Sequence, residues 1–489
     1  IEDRLHAGGE RLPAFVAGGD DAGALSFAQR RLWFLSRLEG ESATYNITTA
    51  LRIEGPLDAA RMQRSLAAMV ARHDALRTRF VDREGVPERI VDAAVDVRLQ
   101  RLDADEQQLE ALAVAEARAP FDLARGPLFR FTLVDLGDQR RVLLSSIHHI
   151  VADGWSVALF LRELSLLYRH DVAGALSTPP YRYADYVVWE RAFLEGEALD
   201  RQLDYWKRRL AGMPALLPLA TDLPRPPVQS YRGATRNFSI GPDLAARIRA
   251  QCARHGVTLY MYLLAALDVT LAHASGQRDI AVGATVANRS VRELEGIFGL
   301  FANQVVMRSD LGGEPRFAEL LRRVRQTALE AYAHQEAPFD RVVEALAAER
   351  SLAYTPLFQV KLVLQNVPLD QEALPGLRVD TLGVDPGASK FDLQYTIEES
   401  QDGLSGSLTY NTDIFLPSTA ARLLAALERV LEEASADPER PVEALIADLA
   451  SLERVERERR ADGLAEASLG KLRQRRRVAV VTQGEHTDE

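Results

Sequence analysis

A single cysteine, Cys252, stands in 489 residues. That excludes an intramolecular disulfide and a cysteine-based zinc cluster, and it fits a reducing cytoplasm. Its place inside a helical pattern makes it a packed small side chain rather than a nucleophile. Basic charge is also short, with 59 Lys and Arg against 70 Asp and Glu and a formal net charge of -11. Nucleic-acid binding depends on basic surface, so no nucleic-acid partner is expected. No apolar run is long enough to span a membrane and no signal peptide is recognisable, so no membrane partner is expected and the chain reads as cytoplasmic. It opens on Ile1 rather than Met and reads as a piece of something longer.

What is there is the composition of a soluble globular protein, 47% hydrophobic and 26% charged. The length is too great for one ordinary core and divides into two or three lobes. Strands are predicted at 46–53, 88–100 and 128–135, with helices at 58–70 and 103–117. This alternation describes an α/β lobe. The stretch Leu176-Ser177-Thr178-Pro179-Pro180 interrupts every periodicity and marks a lobe boundary. A second series repeats the layout, with a strand at 235–240, one long helix at 244–271 and a strand at 280–287, and a helix at 417–433 closes it.

The chemistry concentrates in His148-His149-Ile150-Val151-Ala152-Asp153-Gly154-Trp155-Ser156. Val142-Leu143-Leu144 leads in as a strand and a helical pattern from Val157 leads away, so the histidines sit at a strand end. Successive side chains of an extended segment point to opposite faces. Both histidines face one cavity only if the strand is already turning, so one works and the other supports. A neutral imidazole suits proton transfer near neutral pH, with Asp153 to orient it and Gly154 to admit close backbone approach. Two other readings stay open. The pair can be satisfied core histidines, or metal ligands, although adjacent ligands diverge and no third His or Cys lies near. No metal site is expected.

His-His-x-x-x-Asp-Gly resembles the signature of the condensation domains of nonribosomal peptide synthetases, relatives of chloramphenicol acetyltransferase. Further segments are similar to the family in order. They include Ser26-Phe27-Ala28-Gln29 with Leu32-Trp33, Arg72-His73 through Phe80, Tyr183 through Trp189, and Phe298-Gly299-Leu300-Phe301-Ala302-Asn303. His334-Gln335 with Pro338-Phe339-Asp340, Pro356-Leu357-Phe358-Gln359-Val360 and Lys390-Phe391-Asp392-Leu393 follow. Ala302 stands where the family usually has Val, and Ala353-Tyr354 where it usually shows Ser-Arg or Ser-His. The resemblance covers about 25 to 450. His73, at a charge-rich helix end, reads as structural.

The resemblance implies an α/β fold of two chloramphenicol-acetyltransferase-like lobes in a V-shaped arrangement, with the active site in a tunnel between them. Residues 1–24 would be a linker or the end of a docking element, 25–177 the N-terminal lobe, 178–450 the C-terminal lobe and 451–489 a charged C-terminal helix or linker. Its basic run Lys471 to Arg477 reads as solvated, or as a patch for an acidic carrier. The implied reaction transfers an acyl or peptidyl group from a carrier-protein thioester to an acceptor amine, in nonribosomal peptide or hybrid polyketide biosynthesis. Ester formation on a hydroxyl acceptor by a free-standing, chain-releasing enzyme is one alternative, and a catalytically silent domain that recruits a partner is another.

By the same resemblance His149 is the general base or the group that orients the amine, and His148 supports it. Asp153 shapes the turn and forms an ion pair with Arg289. Gly154 admits the substrate, and its amide is a candidate oxyanion donor. These catalytic candidates, His148, His149, Asp153 and Gly154, are joined by Trp155, Ser156, Asn303 and Gln359 as tunnel residues. The chain itself binds no cofactor in this reading. Phosphopantetheine arms deliver the substrates, and the partners are acyl or peptidyl carrier proteins for donor and acceptor. The chain acts as a monomer or as part of a multidomain synthetase.

Overall fold

Two β-sheets, one in each lobe, organise the computed structural model, which describes residues 14–19, 23–171, 176–194, 196–348, 351–365, 374, 376–400 and 402–455. The first lobe runs through α1 (Phe27–Glu39), β1 (Asn46–Glu54), α2 (Ala59–Arg72), β2 (Thr78–Arg83), β3 (Val86–Val91), β4 (Leu99–Asp103), α3 (Glu106–Arg118), β5 (Phe129–Asp135), β6 (Arg140–His148) and α4 (Gly154–Arg169). Helices α5 (Tyr183–Phe193) and α6 (Glu197–Leu210) lead onward. The second lobe holds β7 (Gly233–Ile240), α7 (Pro242–His255), α8 (Leu259–Ser275), β8 (Asp279–Val286), β9 (Asn303–Asp310), α9 (Phe317–Tyr332) and α10 (Phe339–Ala345). It continues through β10 (Val360–Gln365), β11 (Arg378–Leu382), β12 (Leu393–Ser400), β13 (Gly403–Asn411) and α11 (Pro417–Ala436), with a last helix over 442–455. The α/β class and the two lobes are those implied by the sequence.

The first sheet has the order β11-β1-β6-β5-β4 and the second β7-β13-β12-β10-β8-β9. In β6 every residue from Val142 to His148 is buried, as a central strand covered on both faces requires. It pairs antiparallel with β1 from Glu54↔Arg140 to Asn46↔His148, which delivers the histidines to one end of the sheet. Ser26 starts α1 with a reciprocal cap, its hydroxyl accepting from the Gln29 amide while the Gln29 side chain accepts from the Ser26 N–H.

Three expectations change. The strand at 88–100 is two strands, β3 paired with β2 in a separate ribbon and β4 in the main sheet. The helix at 244–271 is two helices, because Gly256 adopts a left-handed conformation (φ 64°) that ends α7 and the Thr258 side chain caps α8. The pattern read as continuous because α8 is buried from Met261 to Ala272. The lobes also interlock. β11, placed by sequence in the second lobe, pairs with β1 from Ala50↔Leu382 to Glu54↔Arg378 and covers an otherwise open edge. Leu377, Val379, Phe298 and Leu300 then enter the core of the first lobe.

Between the lobes Tyr183, Tyr186 and Trp189 of α5 pack with Leu294, Ile297 and Phe301. Tyr183 lies so close to Gly299 that a Cβ there would meet its ring at 2.0 Å. That contact requires glycine. The basic run Lys471 to Arg477 and the first thirteen residues lie outside the described residues. Among those described, no single helix is long and apolar enough to cross a membrane.

Candidate active site

At His148 the strand β6 ends, and residues His149–Val151 form one turn of 3-10 helix. The turn separates the two rings. The backbone N–H of His148 donates to Leu128 O at 2.9 Å and that of His149 to Tyr45 O at 2.8 Å, while Gln29 Nε2 holds Ile150 O at 3.1 Å. His149 Nδ1 lies 2.8 Å from Ala152 O. A carbonyl only accepts, so Nδ1 carries the proton and Nε2 keeps a free lone pair. His149 lines a cavity of about 1000 Å³ between the lobes, with Phe27, Tyr45 and Gly154 from the first lobe and Asn303, Lys361 and Lys390 from the second. The His148 ring is buried, accepts the Ile150 N–H on Nδ1 at 3.1 Å, and meets Phe121 edge-on. One histidine faces the cavity and the other braces it.

Burial, reinforced by the nearby Lys390 charge, lowers the His149 pKa to about 4. His148 falls to about 3, through burial and then the charge of its neighbour. Both rings are therefore neutral at pH 7. Also on the cavity wall, the Glu190 carboxylate accepts from the Phe27 amide at 3.0 Å and the Tyr186 hydroxyl at 2.8 Å, and burial raises its pKa to about 7.

Asp153 is directed away from the cavity. It caps α4, with Oδ1 accepting the Ser156 N–H at 2.8 Å and lying 2.8 Å from Ser156 Oγ. Oδ2 accepts the amides of Phe301 at 3.0 Å and Ala302 at 3.2 Å, which ties the motif to the second lobe. Arg289 Nη2 reaches Oδ1 at 3.4 Å, and the two side chains are only 2% and 1% exposed. The guanidinium also donates to the carbonyls of Leu294 and Ile297 and stacks 3.9 Å from the centre of the Phe301 ring. The ion pair named from sequence forms.

Gly154 begins α4 on the cavity wall, and a Cβ there would meet nothing within 4 Å. Of the four tunnel candidates only Asn303 lines the cavity. Its amide clamps the following loop, donating to Gln335 O and Ala337 O and accepting from the Phe339 N–H. Trp155 is a correction: its indole N–H donates to Glu295 O at 2.9 Å and its ring lies beside Arg289, which seals the junction from outside. Ser156 is another, since it is fully buried and its Oγ lies 2.7 Å from Gly299 O and 3.0 Å from Gly299 N. Gln359 is the third. It precedes β10, is buried, and ties down another loop through Ala215 O, Leu217 N and Thr355 O. His73 pairs with Glu163 at 2.7 Å, away from the cavity.

Two cavity residues escaped the sequence reading. Lys390 belongs to a motif that carried no role for it, and its ammonium lies 4.3 Å from the centre of the Tyr45 ring. Lys361 interrupts the apolar run Val360-Lys361-Leu362-Val363-Leu364. A charge inside a run that otherwise marks a buried central strand was the available signal. Among the described residues no group of three or more His, Cys, Asp or Glu is placed to hold a metal.

The family model described as "Condensation domain" matches residues 20–451. A linear gramicidin synthase of Brevibacillus parabrevis is 44% identical over 433 residues, covering 86% of this chain and 6% of that protein. Malpinin synthetase of Mortierella alpina is 41% identical over 428 residues, again 86% of this chain and 6% of the relative. The chain thus spans a small fraction of the length of these synthetases. Among solved structures, the X-domain from teicoplanin biosynthesis in its complex with OxyB superposes with a TM-score of 0.80 at 30% identity, covering 90% of this chain and 99% of that one. The condensation domain from the Monacolin K polyketide synthase MokA gives 0.79 at 21% identity, covering 86% and 98%, and carries the fold alone.

Proposed function

The chain belongs to the condensation-domain family, and from that premise we propose that it forms an amide in nonribosomal peptide synthesis. An acyl or peptidyl group held as a thioester on one carrier protein passes to an amine held on a second. The observation that carries this reading is His149, fixed through Nδ1 by Ala152 O and presenting Nε2 to a cavity walled by both lobes.

The amine nitrogen attacks the thioester carbonyl, so a C–N bond forms, the C–S bond breaks, and the thiol leaves with the proton the amine gives up. A neutral amine is nucleophilic enough to attack without prior deprotonation. His149, whose conjugate acid has a pKa of about 4 in the free site, suits an acceptor that aims the amine N–H and so points the lone pair at the carbonyl. Negative charge developing on the carbonyl oxygen makes the ring more basic at the moment the nitrogen becomes acidic. Gly154 lies in the first turn of α4, where backbone N–H groups lack intrahelical partners, and its amide serves the oxyanion. Asp153 and Arg289 are positioning residues that hold the His149 turn against the second lobe. The substrates arrive on the flexible arms of carrier proteins, which supply the thioester.

The weak basicity of His149 favours an amine over a hydroxyl, whose attack depends on deprotonation. The likeness to the X-domain supplies a second reading, recruitment of a partner enzyme. Intact-mass spectrometry of an acyl-loaded carrier with matched amino and hydroxy acceptors separates the three. Amide formation is expected, turnover only with hydroxy acceptors would replace it by ester formation, and no turnover with any acceptor would favour recruitment.

A further inference from the structure

Amide formation leaves two polar side chains of the cavity wall unused. Among the described residues, several buried side-chain oxygens and nitrogens meet no hydrogen-bonding partner, and only two of these atoms belong to residues of this wall, Oδ1 of Asn288 and Oε1 of Gln304. Their neighbour Asn303 shows the contrast. Its amide is fully engaged with Gln335 O, Ala337 O and the Phe339 N–H. A buried polar group without a partner costs free energy, so where two of them share a cavity wall a polar guest is the economical explanation.

Both residues lie at the reacting end of the cavity. Asn288 directly precedes Arg289, whose guanidinium reaches Asp153, and Gln304 stands two residues after Ala302, whose amide binds the Asp153 carboxylate. Chain geometry keeps Gln304 within about 7 Å of Ala302, measured between Cα atoms. Asp153 is followed by Gly154, which begins α4 on the same wall. Antiparallel pairing sets Gln304 opposite Thr285, another neutral polar residue of the wall, and Asn303 opposite Val286, two residues before Asn288. The two carboxamides therefore flank the same end of the β8–β9 ladder. Charge does not decide what they meet. The cavity is lined by acidic groups, Glu41, Glu190, Glu336 and Asp340, and by basic ones, Arg31, Lys361 and Lys390, so neither sign marks out a ligand.

We propose that Asn288 and Gln304 form a neutral hydrogen-bonding subsite on the Gly154 side of the cavity, which receives an amide group carried by one of the two condensing building blocks. The inference rests on the condensation reading and names a substrate class for it. A half-turn about the last torsion of a carboxamide, where the well is broad, exchanges its oxygen and its NH2. Each side chain thus offers an acceptor or a donor, and the group that answers both is another amide, through its N–H and its C=O. The peptide bond of a peptidyl unit and the side-chain amide of a glutaminyl or asparaginyl unit share that chemistry.

Calorimetry with pantetheine amides tests this, the nitrogen that replaces the thioester sulfur preventing transfer. In a first pair, N-acetylalanyl pantetheine amide is compared with its ketomethylene analogue, in which CH2 replaces the peptide N–H. In a second, glutaminyl pantetheine amide with a free amine is compared with its methyl-ketone analogue, in which CH3 replaces the side-chain NH2. Contacts to the arm are common to both members of a pair and cancel. In at least one pair the amide should bind about 3- to 10-fold more tightly, the worth of a neutral hydrogen bond. A preference in the first pair identifies a peptidyl unit, and one in the second a carboxamide side chain. The preference should disappear in Gln304→Met and shrink in Asn288→Gly, glycine being chosen because residue 288 has a φ of 53°. Equal affinities within both pairs on the wild type overturn the subsite, whether or not the variants fold. Joined with weaker binding of pantetheine itself by Gln304→Met, they give the two side chains to the arm instead. A preference of wild-type size in either variant, at unchanged melting temperature, overturns it as well. Condensation of carrier-loaded pairs that lack an amide in either building block is scored separately on the wild type. Turnover of such pairs without any amide preference removes the subsite and keeps condensation, whereas the preference without any turnover does the reverse.

Discussion

Replacing Asp153 with alanine should destabilise the protein while leaving the cavity wall formed by His149 and Gly154 without a chemical gap. The carboxylate accepts from the Ser156, Phe301 and Ala302 amides and faces Arg289 at 3.4 Å. Its removal leaves an uncompensated, almost fully buried guanidinium and three amides without their acceptor. Breaking a buried pair by removing one partner costs about 3–5 kcal/mol. Loss of the helix cap, about 1 kcal/mol alone, is contained within that figure rather than added to it, because the groups share one network. At about 2–4 °C per kcal/mol for a lobe of roughly two hundred residues, the melting temperature should fall by roughly 6 to 20 °C. Differential scanning calorimetry measures it. The double variant Asp153→Ala with Arg289→Met should recover part of the loss, since it removes the orphaned charge. An unchanged melting temperature with abolished turnover would refute the structural assignment and make Asp153 part of the chemistry.

Gly154→Leu should leave the melting temperature nearly unchanged, because its side chain enters open cavity, yet slow turnover by about 10²-fold or more by displacing the reacting atoms; a parallel loss of stability and activity would contradict the open geometry. The two active-site histidines should show opposite tautomers in the spectrum of 15N-histidine-labelled protein, with the proton on Nδ1 in His149 and on Nε2 in His148. Neither ring should titrate near 6.5, since burial places them at about 4 and about 3. Folding stability follows with a definite sign. Both pKa values are depressed below that of the unfolded chain, so their contribution is complete above pH 6.5 and is lost as pH falls through 6.5 toward 4. Urea melts at pH 7 and pH 4.5 measure that loss for the wild type and for a variant carrying His148→Gln, in which it should be smaller.

The elements that announced themselves in the sequence are those whose local chemistry agrees with their tertiary place. The run Val142 to Leu144 reads as a strand leading to the histidines, and it lies buried in the middle of the first sheet. The His148-His149 alternation already said that one ring works at the cavity and the other supports it, and only His149 lines the cavity. What stayed hidden depends on distant partners. Nothing in Arg378 to Leu382 says that it crosses to β1, because an edge strand is chosen by the available edge rather than by its own pattern. Gly256 was masked by the continuous apolar face around it. Gln359 and Ser156 looked like polar tunnel walls because a buried polar group that satisfies loop carbonyls has the same sequence as one that meets a ligand. Lys361 was legible as a charge in an apolar strand, but its neighbours Lys390 and Arg31 come from far along the chain, and only the folded cavity brings them together.

The most direct test of the account is the single-turnover rate of amide formation between a donor-loaded and an acceptor-loaded carrier, followed by intact mass for the wild type and His149→Ala. A positioned ring of this kind contributes about 10²- to 10⁴-fold, so the variant should slow product formation by that factor. Its melting temperature should stay close to that of the wild type, because among the described residues the His149 side chain makes one hydrogen bond, to Ala152 O. Amide formation by His149→Ala at the wild-type rate would contradict the assignment of the site, whatever else the fold does.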